Sequence, residues 1–216
     1  MQPEKSNIEA FSADEYDVAR RKLARIVGLG VTLFTGLIFL LTLSTGAFPG
    51  ESADLMVAFS GIEPKVAPSH TIWGAIVAAL ASFNPEGMIL RLNLFSLVVA
   101  LLSVWLLFDI VVKKISGTID PENATPRATA VASVLGGGAA ALALAFSVPF
   151  WMCATRLQYQ GFNVLLILIL FRLIAGYVQG GGLWNLMVVA FLLGVATVES
   201  LGIIIFAPIF CLVGAG

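Results

Sequence analysis

Charge is the scarcest property of this sequence. Asp, Glu, Lys and Arg make up 12% of its 216 residues, against about 25% in a soluble domain. A chain so poor in charge and 59% hydrophobic has too little polar surface for a soluble fold and reads as an integral membrane protein. Its net charge of -1 gives no reason to expect nucleic acid as a partner, which calls for a basic face. Histidine occurs once, at His70, so no metal site can be built from several histidines. Cys153 and Cys211 stand apart in apolar surroundings without a C-x-x-C pair and read as small buried hydrophobes. Phosphate loops, dinucleotide fingerprints, H-E-x-x-H and G-x-S-x-G are all missing, which leaves soluble-enzyme chemistry nothing to stand on. The glycines of "VLGGGAA" lie inside an apolar run and cannot form a phosphate loop.

What is present is a series of long apolar runs. A spanning helix needs about 20 mostly apolar residues, and residues 24–45, 88–112, 128–150 and 162–178 supply four such segments. The first run is too long for a signal-peptide core and its leader is both acidic and basic, so it reads as a retained span. A fifth segment, 183–215, is too long for one span and too short for two with a loop; a break near Glu199 and Gly202 resolves its length. The chain then stops at "CLVGAG" without a charged flank, which reads as a piece of a longer protein. Within the third run, "GGGAAALALA" (136–145) lacks bulk and predicts a close helix-packing face.

Positive residues orient the spans. Arg20, Arg21, Lys22 and Arg25 precede the first, and Lys113 and Lys114 follow the second. Placing both groups in the cytoplasm makes residues 1–23 a cytoplasmic leader and sends loop 46–86 to the outer face. Arg172 then lies near the cytoplasmic interface and can snorkel to it. The outer loop contains "TIWGAIVAALASF" (71–83), too short to span and suited to an interfacial helix. About forty residues with their own helix exceed what a connector requires.

The same topology gathers Glu51, Asp54, Glu63, Lys65, His70, Arg91, Asn93, Arg156, Gln158 and Gln160 on the outer side. Glu51 and Asp54 are three residues apart and share a face if "ESADLMVAF" is helical. Carboxylates at a helix N-terminus also have an ordinary capping and dipole role, and spacing alone does not separate that role from catalysis. Arg91 and Asn93 open the second span, where an arginine meets either a substrate phosphate or lipid headgroups. Glu199, an ionisable residue at membrane depth, calls for a cavity or a partner.

Taken in order, these elements resemble the GT-C superfamily of polyprenyl-phosphate-sugar-dependent glycosyltransferases, in its protein O-mannosyltransferase-like branch. That branch shows D-x-G-E after the first helix, then H-P-P-G-x-P, R-x-N-x-x-S, W…E-x-Y-x-L-N and a later G-L…H. Here "ESAD" (51–54), "EPKVAP" (63–68), "RLNLFS" (91–96), "WMCATRLQYQGFN" (151–163) and "LLGVATVES" (192–200) stand in the same order. Glu63 stands where the histidine belongs, Gln158 replaces the second acid and Gln160 the tyrosine. The resemblance implies an all-α polytopic bundle whose outer face moves a sugar from a lipid-phosphate carrier to a protein or glycan acceptor. Carried over residue by residue, Glu51 is the base and Asp54 its assistant, while Arg91 steadies the carrier phosphate. Glu63, Asn93, Gln158 and Glu199 fall among the substrate-binding positions. A divalent metal ion sometimes accompanies the base in such enzymes, and membrane lipids and the lipid-linked donor are the expected partners. The expected location is a bacterial inner membrane, with the N-terminus cytoplasmic and the site loop periplasmic, as the positive residues orient the spans.

The altered acids and the missing histidine support a competing reading, a GT-C-like subunit without activity that works through another membrane protein. A transporter is less favoured, because no second half repeats the first.

Overall fold

A computed structural model describes residues 4–59, 70–84, 86–119, 125–180, 182–206 and 208. Glu63 and Lys65, with the rest of "EPKVAP", lie outside the described residues, as does Cys211. The described residues form an all-helical membrane bundle. Four helices are long and apolar enough to cross a membrane: α1 (Glu4–Leu41), α4 (Met88–Thr118), α5 (Pro126–Ala145) and α7 (Gln160–Val178). Between and after them come α2 (Glu51–Phe59), α3 (Thr71–Ser82), α6 (Val148–Thr155) and α8 (Leu183–Glu199), with a 3-10 turn over Leu201–Phe206.

Helix α4 is the centre, packed against α1, α5, α6 and α7. A Cβ added at Gly28 of α1 would lie 2.8 Å from the Phe108 ring, and one at Gly36 would lie 3.2 Å from Leu101. Rising numbers in α1 thus meet falling numbers in α4, so the two run antiparallel. This brings Arg20–Arg25 to the end of the bundle that carries Lys113 and Lys114. The opposite end is built by α2, α3, the start of α4 and the connection after α6, which pack Leu55, Met56, Trp73, Val77, Leu92 and Leu157 into a separate buried cluster. In α3 the buried residues Trp73, Val77 and Ala81 recur every four positions, the stripe of a helix lying with one face on the bundle.

Two glycines of the third apolar run, Gly136 and Gly137, pack closely. A Cβ at Gly137 would sit 2.6 Å from Val112 Cγ2 and 3.2 Å from the Phe108 carbonyl oxygen. Gly137→Leu is therefore expected to destabilise the bundle by about 1–3 kcal/mol through overpacking. At Gly138 a Cβ meets nothing within 4 Å, so Gly138→Ala should leave stability unchanged or raised by under about 1 kcal/mol. Thermal unfolding of the purified variants in detergent checks the pair.

Two apolar runs end short of their hydropathy. Helix α1 stops at Leu41, and the Thr42 hydroxyl donates back to the Ile38 carbonyl at 2.8 Å. The third run does not continue to Trp151: α5 ends at Ala145, and α6 begins at Val148 with Pro149 in its first turn. Proline lacks an N–H and its ring clashes with the carbonyl four residues back, here that of Ala145. The chain therefore breaks at Phe146 and Ser147. In the last segment α8 ends at Glu199, where Ser200 is extended (φ -151°, ψ 117°). Arg172 has a specific partner as well as an interface: its Nε donates to Asp109 Oδ2 at 3.0 Å, tying α7 to α4.

Candidate functional site

The chain turns into α2 at Pro49-Gly50, where Gly50 has φ 100°, a conformation that costs glycine little. The Gly50 carbonyl accepts from the N–H groups of Ala53 and Asp54 at 2.9 and 3.2 Å. Glu51 and Asp54 therefore occupy the first turn of α2, where the helix dipole favours negative charge. The helix buries Ser52, Leu55 and Met56 and leaves both carboxylates exposed. They remain accessible to a substrate while their helix is anchored from beneath.

Glu51 is also held from the side. Gln160 Nε2 donates to its Oε2 at 3.3 Å, and the Tyr159 phenol stands beside the same carboxylate. Burial, followed by the negative charge of Glu51, raises the Tyr159 pKa, so the phenol stays a donor near neutral pH. Asp54, in the same first turn, has no side-chain partner among the described residues. The structure thus brings Glu51 to the connection between α6 and α7 and leaves Asp54 beside it.

Tyr159 leads to the second half of the site. Its ring stacks on the His70 imidazole with centroids 3.5 Å apart, and Trp73 meets it edge-on at 6.2 Å. His70 precedes α3 in the left-handed region (φ 71°, ψ 41°), uncommon for a residue other than glycine although histidine is among those enriched there. Its backbone N–H donates to the Glu199 carbonyl at 3.0 Å. The fully buried Glu199 side chain completes the junction: Oε2 accepts from the N–H groups of Ile72 and Trp73 at 2.8 and 3.1 Å. A carboxyl group from α8 thereby caps α3, supplying acceptors that the first turn of any helix lacks. Its other oxygen lies 3.6 Å from His70 Nδ1, within ion-pair reach but beyond hydrogen-bond distance.

Arg91 and Asn93 are tied into the same end. Arg91 donates from Nε to the Leu80 carbonyl at 2.8 Å and from Nη2 to the Asn84 carbonyl at 2.5 Å, closing the C-terminal end of α3. Asn93, fully buried, donates from Nδ2 to the Ser44 carbonyl at 2.7 Å and accepts the Leu157 N–H at 2.9 Å. One side chain on α4 therefore fixes both the segment after α1 and the segment after α6. Arg156 stands 3.4 Å over the Phe48 ring, a cation–π contact on the chain leading into α2.

Gln158 Oε1 accepts from the Cys153 thiol at 3.1 Å. Burial, reinforced by the charge of Glu51, pushes that thiol up to about 11. Since only the thiolate is nucleophilic, alkylation of Cys153 by iodoacetamide at pH 8 should run about 100-fold slower than at an ordinary cysteine. Mass spectrometry of a Cys211→Ser variant measures it, and the rate of an exposed cysteine would refute the enclosure of Sγ beside Gln158.

Of the residues singled out in the sequence, Glu51, Asp54, Arg91, Asn93, Gln158 and Glu199 converge on one end of the bundle. Glu63 lies outside the described residues. Tyr159 was not legible as a site residue, although it precedes Gln160 at the position where the related motif carries an aromatic. His70 and Gln160 belonged to the outer polar set without roles; their contacts with Tyr159 and Glu51 supply them. For a divalent cation, the described residues bring no third His, Cys, Asp or Glu to Glu51 and Asp54. They do not make up a protein ligand cage.

No curated protein and no solved structure matches the chain. Residues 52–215 match the family described as protein O-mannosyl-transferase TMEM260 N-terminal domain, a stretch that starts one residue after Glu51 and includes Asp54, α3, α4 and Glu199. With most of its length inside that match, the chain belongs to the protein O-mannosyl-transferase TMEM260 N-terminal domain family.

Proposed function

We propose that this chain transfers a sugar from a polyprenyl-phosphate carrier to a protein hydroxyl, with Glu51 as the base, on a GT-C-like scaffold. Family membership supports a membrane glycosyltransferase with a sugar donor and a protein acceptor. The observation that carries the finer reading is the setting of Glu51: an exposed carboxylate on a short helix, held by Gln160 and flanked by Tyr159. In the proposed step the acceptor oxygen attacks the anomeric carbon as the bond from that carbon to the phosphate oxygen breaks. Glu51 takes the hydroxyl proton, the carrier phosphate leaves with the bonding electrons, and the sugar is inverted. Asp54 assists from the same first turn of α2. Two of the five N–H groups of Arg91 hold the end of α3, and the remainder are assigned to the carrier phosphate, where they would stabilise developing charge. Gln158 is assigned to the substrate, and Asn93 and Glu199 to positioning. The site faces the outer side of a bacterial inner membrane in this reading, with Arg20–Arg25 and Lys113-Lys114 in the cytoplasm.

The assay is sugar transfer to an acceptor peptide from a radiolabelled polyprenyl-phosphate sugar, set against the same sugar on a nucleotide. Transfer from the lipid-linked donor alone is expected; transfer from the nucleotide sugar alone would overturn the donor class.

A subunit without activity of its own is the competing reading. It is favoured by the use of Arg91, Asn93 and Glu199 on backbone groups of the fold. Under it neither donor is used by the isolated chain, and transfer appears only when a second membrane protein is added.

A further inference from the structure

The end of the bundle away from Glu51 holds a second polar constellation. A cleft of about 490 Å³ opens between α4 and α7, with Lys113, Lys114 and Arg172 around it. Its wall is apolar, formed by Ile174, Ala175 and Val178 among others. One carboxylate, Asp109, lies beside it: Oδ2 accepts from Lys113 Nζ at 2.7 Å and from Arg172 Nε at 3.0 Å. That single negative charge is shared by two cations. Lys114 has no side-chain partner among the described residues, so the cleft retains a positive surplus.

Charged groups at the ends of spanning helices are costly unless they reach water, a partner or a headgroup. Here three cations converge on a cavity whose wall is hydrocarbon, between two helices of membrane-crossing length. A free anion would leave that wall unmatched, and an uncharged lipid would leave the cations unmatched. An amphiphile with an anionic head satisfies both.

We infer that this cleft binds the phosphate headgroup of an anionic phospholipid, with an acyl chain against Ile174, Ala175 and Val178. Asp109 orients Lys113 and Arg172 toward the phosphate, and Lys114 supplies the charge that Asp109 does not cancel. The site is separate from the sugar-transfer end and does not rest on the function proposed for it.

The test uses the full chain in nanodiscs holding phosphatidylglycerol and phosphatidylcholine in equal amounts, with retained lipid read by native mass spectrometry after release. The wild-type protein is expected to keep one phosphatidylglycerol preferentially. A basic residue near anionic lipid contributes roughly fivefold to affinity, so Lys113→Gln with Lys114→Gln should lower retention roughly 30-fold. Gly117→Leu separates a built site from diffuse surface charge. Gly117 lines the cleft, and a Cβ added there meets nothing within 4 Å, so leucine fits the helix, fills the cleft and leaves the charge unchanged. It should abolish retention; Thr118→Leu, from the same rim, repeats the block should the first variant fail to fold. Equal retention of both lipids overturns the inference. So does phosphatidylglycerol binding that falls in the lysine variant yet survives the leucine block, or a protein helix found seated in the cleft in place of lipid.

Discussion

Glu51→Gln is expected to lower sugar transfer by roughly 10²–10⁴-fold, the usual contribution of a positioned general base, while thermal unfolding moves by less than about 0.5 kcal/mol. The two readouts separate because Glu51 is exposed and its helix is held by Ser52, Leu55 and Met56. Glutamine is nearly isosteric and can still accept from Gln160, so it keeps the geometry and loses only the basicity. Glu51→Asp tests position in place of charge. It retains a carboxylate but withdraws it by one methylene, and a displacement of about 1 Å can cost on the order of 10²-fold. An ordering with wild type above Asp and Asp above Gln identifies a base whose location matters. Transfer unchanged in Glu51→Gln would remove Glu51 from the chemistry and reduce both acids to capping groups of α2.

How far the sequence leads depends on the range of the interaction concerned. The spanning helices follow from runs of apolar residues, which any window along the chain detects, and the close packing of Gly137 follows from the same local reading. The break at Phe146 and Ser147 was also local, set by Pro149, and hydropathy passed over it because proline in an apolar stretch barely changes the average. Glu199 illustrates the other limit. Its depth in an apolar segment announced that it needed a partner, but the partner proved to be the N-terminus of α3, whose amides lie 127 and 126 residues away in sequence. Backbone N–H groups carry no residue identity, so no motif could name them. Arg91 and Asn93 share this difficulty: each is conspicuous as a residue type, and each spends hydrogen bonds on main-chain oxygens. Asp109 was overlooked because its neighbour Lys113 makes an ordinary i,i+4 pair on one helix. Its bond to Arg172 appears only when α7 is packed against α4.

Glu199→Ala is expected to destabilise the protein by about 2–5 kcal/mol. The loss leaves the N–H groups of Ile72 and Trp73 without acceptors, and an unsatisfied buried group costs about 1–3 kcal/mol. It also removes a favourable partner of the α3 dipole, worth up to about 2 kcal/mol where partly buried. Glu199→Gln retains one acceptor oxygen and should lose less, about 1–2 kcal/mol. Thermal unfolding in detergent gives the magnitude, and hydrogen exchange at the amides of Ile72 and Trp73 gives the location, since only those protons lose their acceptor directly. Sugar transfer should fall along with stability, because α3 carries Trp73 against Tyr159 and Tyr159 flanks Glu51. That coupling distinguishes a positioning residue from one that touches substrate. In the positioning case, Glu199→Ala loses protection at both amides and recovers part of its transfer when assayed well below its unfolding temperature. If transfer disappears while the amides stay protected and the unfolding temperature stays at the wild-type value, Glu199 belongs with the substrate, and the cap on α3 is carried by His70 and the backbone instead.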